Sequence, residues 1–180
     1  MSNDSELKTV YAGKHLSMVS RGTWEFATRN TNRPAVGIMA ITDEDRMVLV
    51  EQFRPPAGES GSELPAGLAG DVPGAEDEEL LAAAQRELLE ETGYIAGRWT
   101  RLASGYSSPG LTDESIVLFL AEDLEKTDDG GGDDSEDITV HEIPRTEVLR
   151  WLRERDAAVD LKLLAGLYVA EAELRGRAQS

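Results

Sequence analysis

The amino-acid sequence predicts a mixed α/β domain of the α+β kind, and three observations carry that prediction. Apolar and β-branched runs at residues 36–42, 47–53, 99–103, 115–121 and 138–143 have the length and composition of strands. Helix-like stretches at 78–92, 145–155 and 161–175 are interleaved with them without a regular strand–helix–strand repeat. The 180 residues suffice for one domain with a substantial core. Residues 1–30 read as an N-terminal β segment and 31–180 as the domain proper.

In chain order, residues 1–10 look like a loose start, followed by short β pieces through Val19 and over 23–28. Asp43-Glu44-Asp45 separates the runs 36–42 and 47–53 as the turn of a hairpin. Arg54-Pro55-Pro56 ends the second of these strands, because proline cannot donate to a ladder, and 59–61 reads as an exposed turn. The strongest helix spans 78–92, with three alanines supporting it and Gly93 as a C-terminal stop. Ser107 to Glu114 is a loop by composition. Residues 128–137 are acidic and glycine-rich and read as a mobile loop, and Gly130 and Gly132 fall where an EF-hand requires Asp or Asn.

Composition narrows the function classes. Thirty-five acidic against 18 basic side chains give a formal net charge of −17, which disfavours nucleic acid and anionic membranes as partners. The acidic excess fits a saline habitat or simple solubility equally well. An anionic substrate would need metal ions and a few local arginines, because the global field opposes it. The absence of cysteine excludes disulfides, zinc–thiolate sites and cysteine nucleophiles. His15 and His141 are the only histidines and are read as structural, so any metal is expected to be held by oxygen. No apolar run reaches membrane-span length, and the polar, acidic start lacks the order of a signal peptide, so a cytoplasmic protein is expected.

The run Arg86-Glu87-Leu88-Leu89-Glu90-Glu91-Thr92-Gly93 is the most informative. Helical spacing places Glu87, Glu90 and Glu91 on one face, while Leu88 and Leu89 are expected to turn toward a core. Three clustered carboxylates repel one another unless a cation lies between them, and Mg²⁺ is the natural choice for oxygen ligands. Arg86 can pair with the carboxylate left over. The same spacing also fits the solvated face of an amphipathic helix.

The wider pattern is Glu78, seven residues, Arg86-Glu87, an aliphatic residue, Glu90-Glu91, Gly93 and Tyr94. It resembles the second half of the Nudix box, Gly-x5-Glu-x7-Arg-Glu-U-x-Glu-Glu-x-Gly-U with U apolar, and Tyr94 stands in for the last aliphatic residue. The opening glycine of the box should stand at position 72, which is Val72. Gly67, five positions earlier, is taken as that glycine, with a lengthened loop after it. Glu76 competes with Glu78 for the first glutamate.

Resemblance extends over roughly residues 24–170 and points to the branch of ADP-ribose pyrophosphatases and nucleoside-diphosphate-sugar hydrolases. It implies an α/β/α sandwich around a mixed sheet, with Mg²⁺, or alternatively Mn²⁺, held by Glu87, Glu90, Glu91 and the Ala66 carbonyl. Val50-Glu51-Gln52-Phe53-Arg54 looks like a strand whose arginine reaches substrate phosphates, and Arg29 is a further candidate for that contact. Ser108 to Glu114 resembles the loop supplying the catalytic glutamate, which makes Glu114 the candidate base beside Arg86 and Glu90. Glu136-Asp137-Ile138 resembles a motif before the final strand. Trp24-Glu25-Phe26 is similar to a segment that meets the nucleobase, often across a swapped homodimer. Hydrolysis would give a nucleoside monophosphate and a sugar phosphate. GDP-mannose or dinucleoside polyphosphates are alternative substrates, and a non-catalytic nucleotide sensor is the competing class.

Overall fold

Eleven β-strands and three α-helices form among the residues that the computed structural model describes, which are 6–31, 33–72, 74–132, 137–155 and 157–179. Strands β1 (Lys8–Ala12), β2 (Leu16–Arg21) and β3 (Trp24–Arg29) make a separate antiparallel sheet in chain order. The loose start thus gives way to a strand at Lys8, and residues 1–5 lie outside the described residues. This sheet joins the rest through Ala27 N–H, which donates to Leu111 O at 2.9 Å, and through Thr28 Oγ1, which donates to Asp113 at 3.0 Å.

The main sheet is mixed. Its strands are β4 (Ala35–Ile41), β5 (Arg46–Arg54), β6 (Glu59–Glu63), β7 (Ala66–Leu68), β8 (Tyr94–Tyr106), β9 (Ser115–Lys126), β10 (Ile138–Pro144) and β11 (Ala158–Val159). The order is β11-β6-β5-β4-β9-β8, with β10 on β5 and β7 on β4. Only β4 with β9 and β11 with β6 run parallel. The expected β4–β5 hairpin is present, but the two strands share only Ala40↔Val48 and Ile41↔Met47 before they diverge. Into the opening go β6, paired with the end of β5, and β7, paired with the start of β4. That divergence carries Glu63, Ala66 and Gly67 to the place where the sheet splits.

Alternation along β4 explains the layers. Val36, Ile38 and Ala40 face one side, where Ala83, Ala84 and Leu88 of helix α1 (Leu80–Thr92) cover them. Met39 and Ile41 face the other, against Leu152 of α2 (Val148–Glu154) and Leu163 and Ala170 of α3 (Leu161–Ala178). The result is the expected α/β/α sandwich around a mixed sheet. Leu88 is fully buried, and truncating such a side chain to alanine costs roughly 2–5 kcal/mol.

Several expectations are corrected. Residues 59–61 open strand β6 and are not an exposed turn; Gly61 is buried opposite Gln52 and Ala158. Their polar composition hid a strand whose order comes from pairing on both edges. Helix α1 starts at Leu80, because Glu79 is extended (φ −67°, ψ 143°). Leu89 does not turn to the core and is 38% exposed. Residues 145–155 divide into a 3₁₀ turn, Arg145–Glu147, and α2. Strand β8 starts directly after Gly93 and is far longer than 99–103.

Gly93 ends α1 in the left-handed region (φ 73°), with its N–H on Leu89 O. Residues 127–132 fold over this end: Thr127 and Asp128 N–H donate to Gly93 O, Gly131 N–H to Glu91 O at 2.8 Å and Gly132 N–H to Glu90 O at 3.0 Å. The rest of the expected acidic loop, 133–136, including Glu136 of the motif before β10, lies outside the described residues.

Candidate active site

Helix α1 presents its glutamates beside β7. Ala66 N–H donates to Glu91 Oε2 at 3.0 Å, tying the buried Glu91 to the split in the sheet. Gly67 follows, and a Cβ there would lie 1.9 Å from Glu87 Oε1. Only a residue without a side chain lets the Glu87 carboxylate lie against this backbone, which fits Gly67 as the opening glycine of the box.

Arg86 is shared among four acids. Its guanidinium donates to Glu78 Oε1 and Oε2 at 3.1 Å, Glu87 at 2.8 Å, Glu90 at 3.0 Å and Asp71 at 3.2 Å, and also to Leu68 O. Its pKa is raised chiefly by the bonds to Glu78, and the guanidinium in turn holds the Glu78 carboxyl below the usual carboxylate range. Glu76 is exposed and accepts from backbone N–H groups of its own turn, Gly74 N–H at 3.0 Å among them, whereas Glu78 is the glutamate that engages Arg86. One cation does not neutralise this group. Burial pushes the Glu87 carboxyl up to about 7, against the opposing pull of Arg86.

Across the split lies a cleft of about 550 Å³, and Glu87, Ala66, Gly67, Arg29, Arg54, Glu63 and Glu114 line it. Glu114 ends the loop before β9 and takes a 2.6 Å bond from Arg29 Nε. Arg54, at the end of β5, is held by the buried Glu63 in a two-point pair, Nε to Oε1 at 2.6 Å and Nη2 to Oε2 at 2.8 Å. Glu63 raises the Arg54 pKa. Lys162 and Asp160, at the start of α3, complete the wall.

The structure therefore brings together Arg29, Arg54, Ala66, Glu87 and Glu114 in one cleft, with Glu91 reaching its wall through Ala66. Glu90 stands outside the lining with its side chain 52% exposed and paired to Arg86. Trp24 and Glu25 do not line the cleft: Trp24 is 64% exposed beside a separate recess bordered by Tyr106 and Pro109, and Glu25 is exposed. Sequence reading missed Glu63, Asp160 and Lys162. Asp160 carried a signal as the residue capping a helix, its carboxylate accepting Lys162 N–H at 2.8 Å. Nothing local indicated that this helix start faces the glutamates.

A divalent ion fits the chemistry of this donor set. The donors are carboxylate and carbonyl oxygens, one guanidinium answers four acids, and Glu87 is buried with its charge incompletely met. Among the described residues no three acidic or histidine side chains stand in a closed cluster, and Glu90 is paired to Arg86 at 3.0 Å.

Fold and site together define a Nudix domain. A family-wide profile described as NUDIX domain matches residues 31–167, and the chain belongs to the Nudix family. It is 37% identical over 123 residues to an ADP-ribose pyrophosphatase of Bacillus subtilis (strain 168), covering 68% of this chain and 64% of that protein. A GDP-mannose pyrophosphatase of Citrobacter koseri is 34% identical over 113 residues, 62% of this chain and 59% of that protein. The matched span is thus under two thirds of either relative's length. A solved structure described as an ADP compounds hydrolase superposes with a TM-score of 0.78 at 24% identity, over 97% of this chain and 95% of that one, and supports the fold.

Proposed function

We propose that this chain hydrolyses the diphosphate linkage of ADP-ribose or a related nucleoside diphosphate sugar, giving a nucleoside monophosphate and a sugar phosphate. One observation carries the reading: the buried Glu87 carboxylate, seated on Gly67, opens into the same cleft as the Arg29–Glu114 pair and Arg54. Bound Mg²⁺, or Mn²⁺, supplies charge neutralisation at phosphate oxygens and a water of lowered pKa. Glu87, Glu91, Glu90 and the Ala66 carbonyl are the groups that hold it, and Arg86 positions the glutamates. Glu114 accepts the proton of the attacking water, and Arg29 fixes the direction of that carboxylate. Arg54, braced by Glu63, offers its remaining donors to the substrate phosphates.

The N-terminal sheet exposes Tyr11, Leu16, Met18 and Trp24, which supports a homodimer in which this segment meets the partner copy. In that assembly Trp24 and Glu25 reach a substrate only across the interface.

The test is phosphate-coupled turnover, with added phosphatase, on ADP-ribose, GDP-mannose, UDP-glucose, diadenosine polyphosphates and nucleoside triphosphates, with and without Mg²⁺. Metal-dependent cleavage of a nucleotide sugar is expected. GDP-mannose is the second reading, favoured by the similarity to GDP-mannose pyrophosphatases. Silence across the panel with ADP-ribose still binding by calorimetry would replace the hydrolase by a sensor.

A further inference from the structure

A small chamber lies behind the Arg29–Glu114 pair. Its volume is about 30 Å³, and Thr28, Arg29, Arg33, Asp113, Glu114 and Ser115 enclose it. Arg29 and Glu114 border both this chamber and the cleft, so they stand as a partition between the two. Roughly 10–15 Å³ is enough to hold one water, provided that two to four polar groups receive it. Every residue of this lining is polar.

Arg33 precedes β4 and stands where three segments meet. Its Nη2 donates to Glu78 O, the carbonyl just before the residue that caps α1, and its Nε lies beside Gly70, where a Cβ would be 3.4 Å away. Nε is buried and has no hydrogen-bond partner among the described residues. The Glu78 carboxyl, held low chiefly by its bonds to Arg86, also feels the Arg33 charge. Elsewhere on the lining, Thr28 Oγ1 donates to Asp113 Oδ2 at 3.0 Å and Arg29 Nε to Glu114 Oε1 at 2.6 Å. Each carboxylate retains a second oxygen. A water that accepts from the Arg33 guanidinium and donates to Asp113 and Glu114 has three polar partners.

We infer that the chamber holds one such water and that Arg33, acting through it, is a positioning residue for Glu114. The bridge ties the loop that ends in Glu114 to the start of the helix that bears Glu87 and Glu91. The inference rests on the hydrolase reading for the role of Glu114, whereas the water itself does not. A carboxylate has about four acceptor sites, so Glu114 keeps room for the attacking water. Displacing a reacting group by about 1 Å can cost roughly 10²-fold in rate, and the bridge guards against that displacement.

Arg33→Met keeps an unbranched stem and removes every donor. With the cleaved nucleotide sugar, kcat should fall roughly 10- to 100-fold while KM stays within about twofold. In a Glu114→Gln background the same substitution should cost less than about twofold more, because the group it positions is already disabled. Equal losses in both backgrounds would overturn the positioning role and mark a general effect on the fold. Arg33→Lys has one nitrogen for two partners, so it should regain the melting temperature through Glu78 O and leave kcat low. Full kcat in Arg33→Lys would overturn the two-point bridge. A high-resolution crystal structure gives a readout independent of turnover: a water within hydrogen-bond distance of Arg33 and of Asp113 or Glu114 is expected, and a chamber without one would overturn the inference. A wild type silent on every substrate, with that water in place, would remove the reaction and leave the link between loop and helix standing.

Discussion

The Glu87 carboxylate occupies the space above Gly67, where a Cβ would stand 1.9 Å from Oε1 and 2.0 Å from Cδ. The obstructed group is the far end of a flexible side chain, so Gly67→Ala should leave the fold intact and displace the carboxylate. Mg²⁺ affinity, measured by calorimetry, should fall roughly 10- to 100-fold, the usual cost of disturbing a group that orients a metal ligand. An unchanged affinity would remove Glu87 from the ligand set.

Arg86 answers Glu78, Glu87, Glu90 and Asp71 at once, so its removal leaves like charges facing one another. Arg86→Ala should cost roughly 2–4 kcal/mol in urea denaturation at low ionic strength, discounted from a fully buried pair because the site is partly open. Arg86→Lys should recover part of that but not the fork that spans Glu78. Equal stability of Arg86→Ala and wild type would show that solvent already screens the group.

The Glu87 carboxyl, at about 7 in the metal-free fold against an ordinary 4.5, holds its proton longer folded than unfolded. The native state then binds more protons in that window. Stability of the metal-free protein should therefore fall as pH rises from 4.5 to 7, by at most roughly 3–3.5 kcal/mol, and level off above. Mg²⁺ binding at pH 6.5 should release protons, read by calorimetry in buffers of different ionisation enthalpy, and Glu87→Gln should abolish the release.

Glu114→Gln keeps the shape and the bond from Arg29 but cannot accept a proton. Its kcat should drop roughly 10²–10⁴-fold with KM nearly unchanged. A normal kcat would move the base to another loop.

Glu91→Gln retains an acceptor for Ala66 N–H and loses a charge. Turnover should fall by orders of magnitude while the melting temperature stays within a few degrees. Near-normal turnover would sink the metal assignment.

The box was legible because helix spacing and metal chemistry constrain the same few residues, and Arg86, Glu87 and Glu91 stand where that spacing puts them. Glu90 illustrates the limit: helical periodicity gives a face but not a partner, and Arg86 holds it off the cleft. Strand β6 was illegible because Ser60, Gly61 and Ser62 carry no apolar signal; their order comes from β5 on one side and β11 on the other. Lys162 and Glu63 belong to the cleft through contacts a hundred residues apart in sequence, which no local pattern records.

The strap over the end of α1 consists of main chain. Gly131 and Gly132 grip the carbonyls of Glu91 and Glu90 through N–H groups that every residue except proline carries. Between Thr127 and Gly132 the strap is guarded twice over: Gly130, Gly131 and Gly132 all have positive φ, and a Cβ at Gly130 would lie 2.4 Å from the Thr92 carbonyl carbon, so side-chain exchanges are open at 127–129 and closed at the glycines. Deleting one residue slides the donors off their carbonyls and unfastens the helix end that bears two of the glutamates.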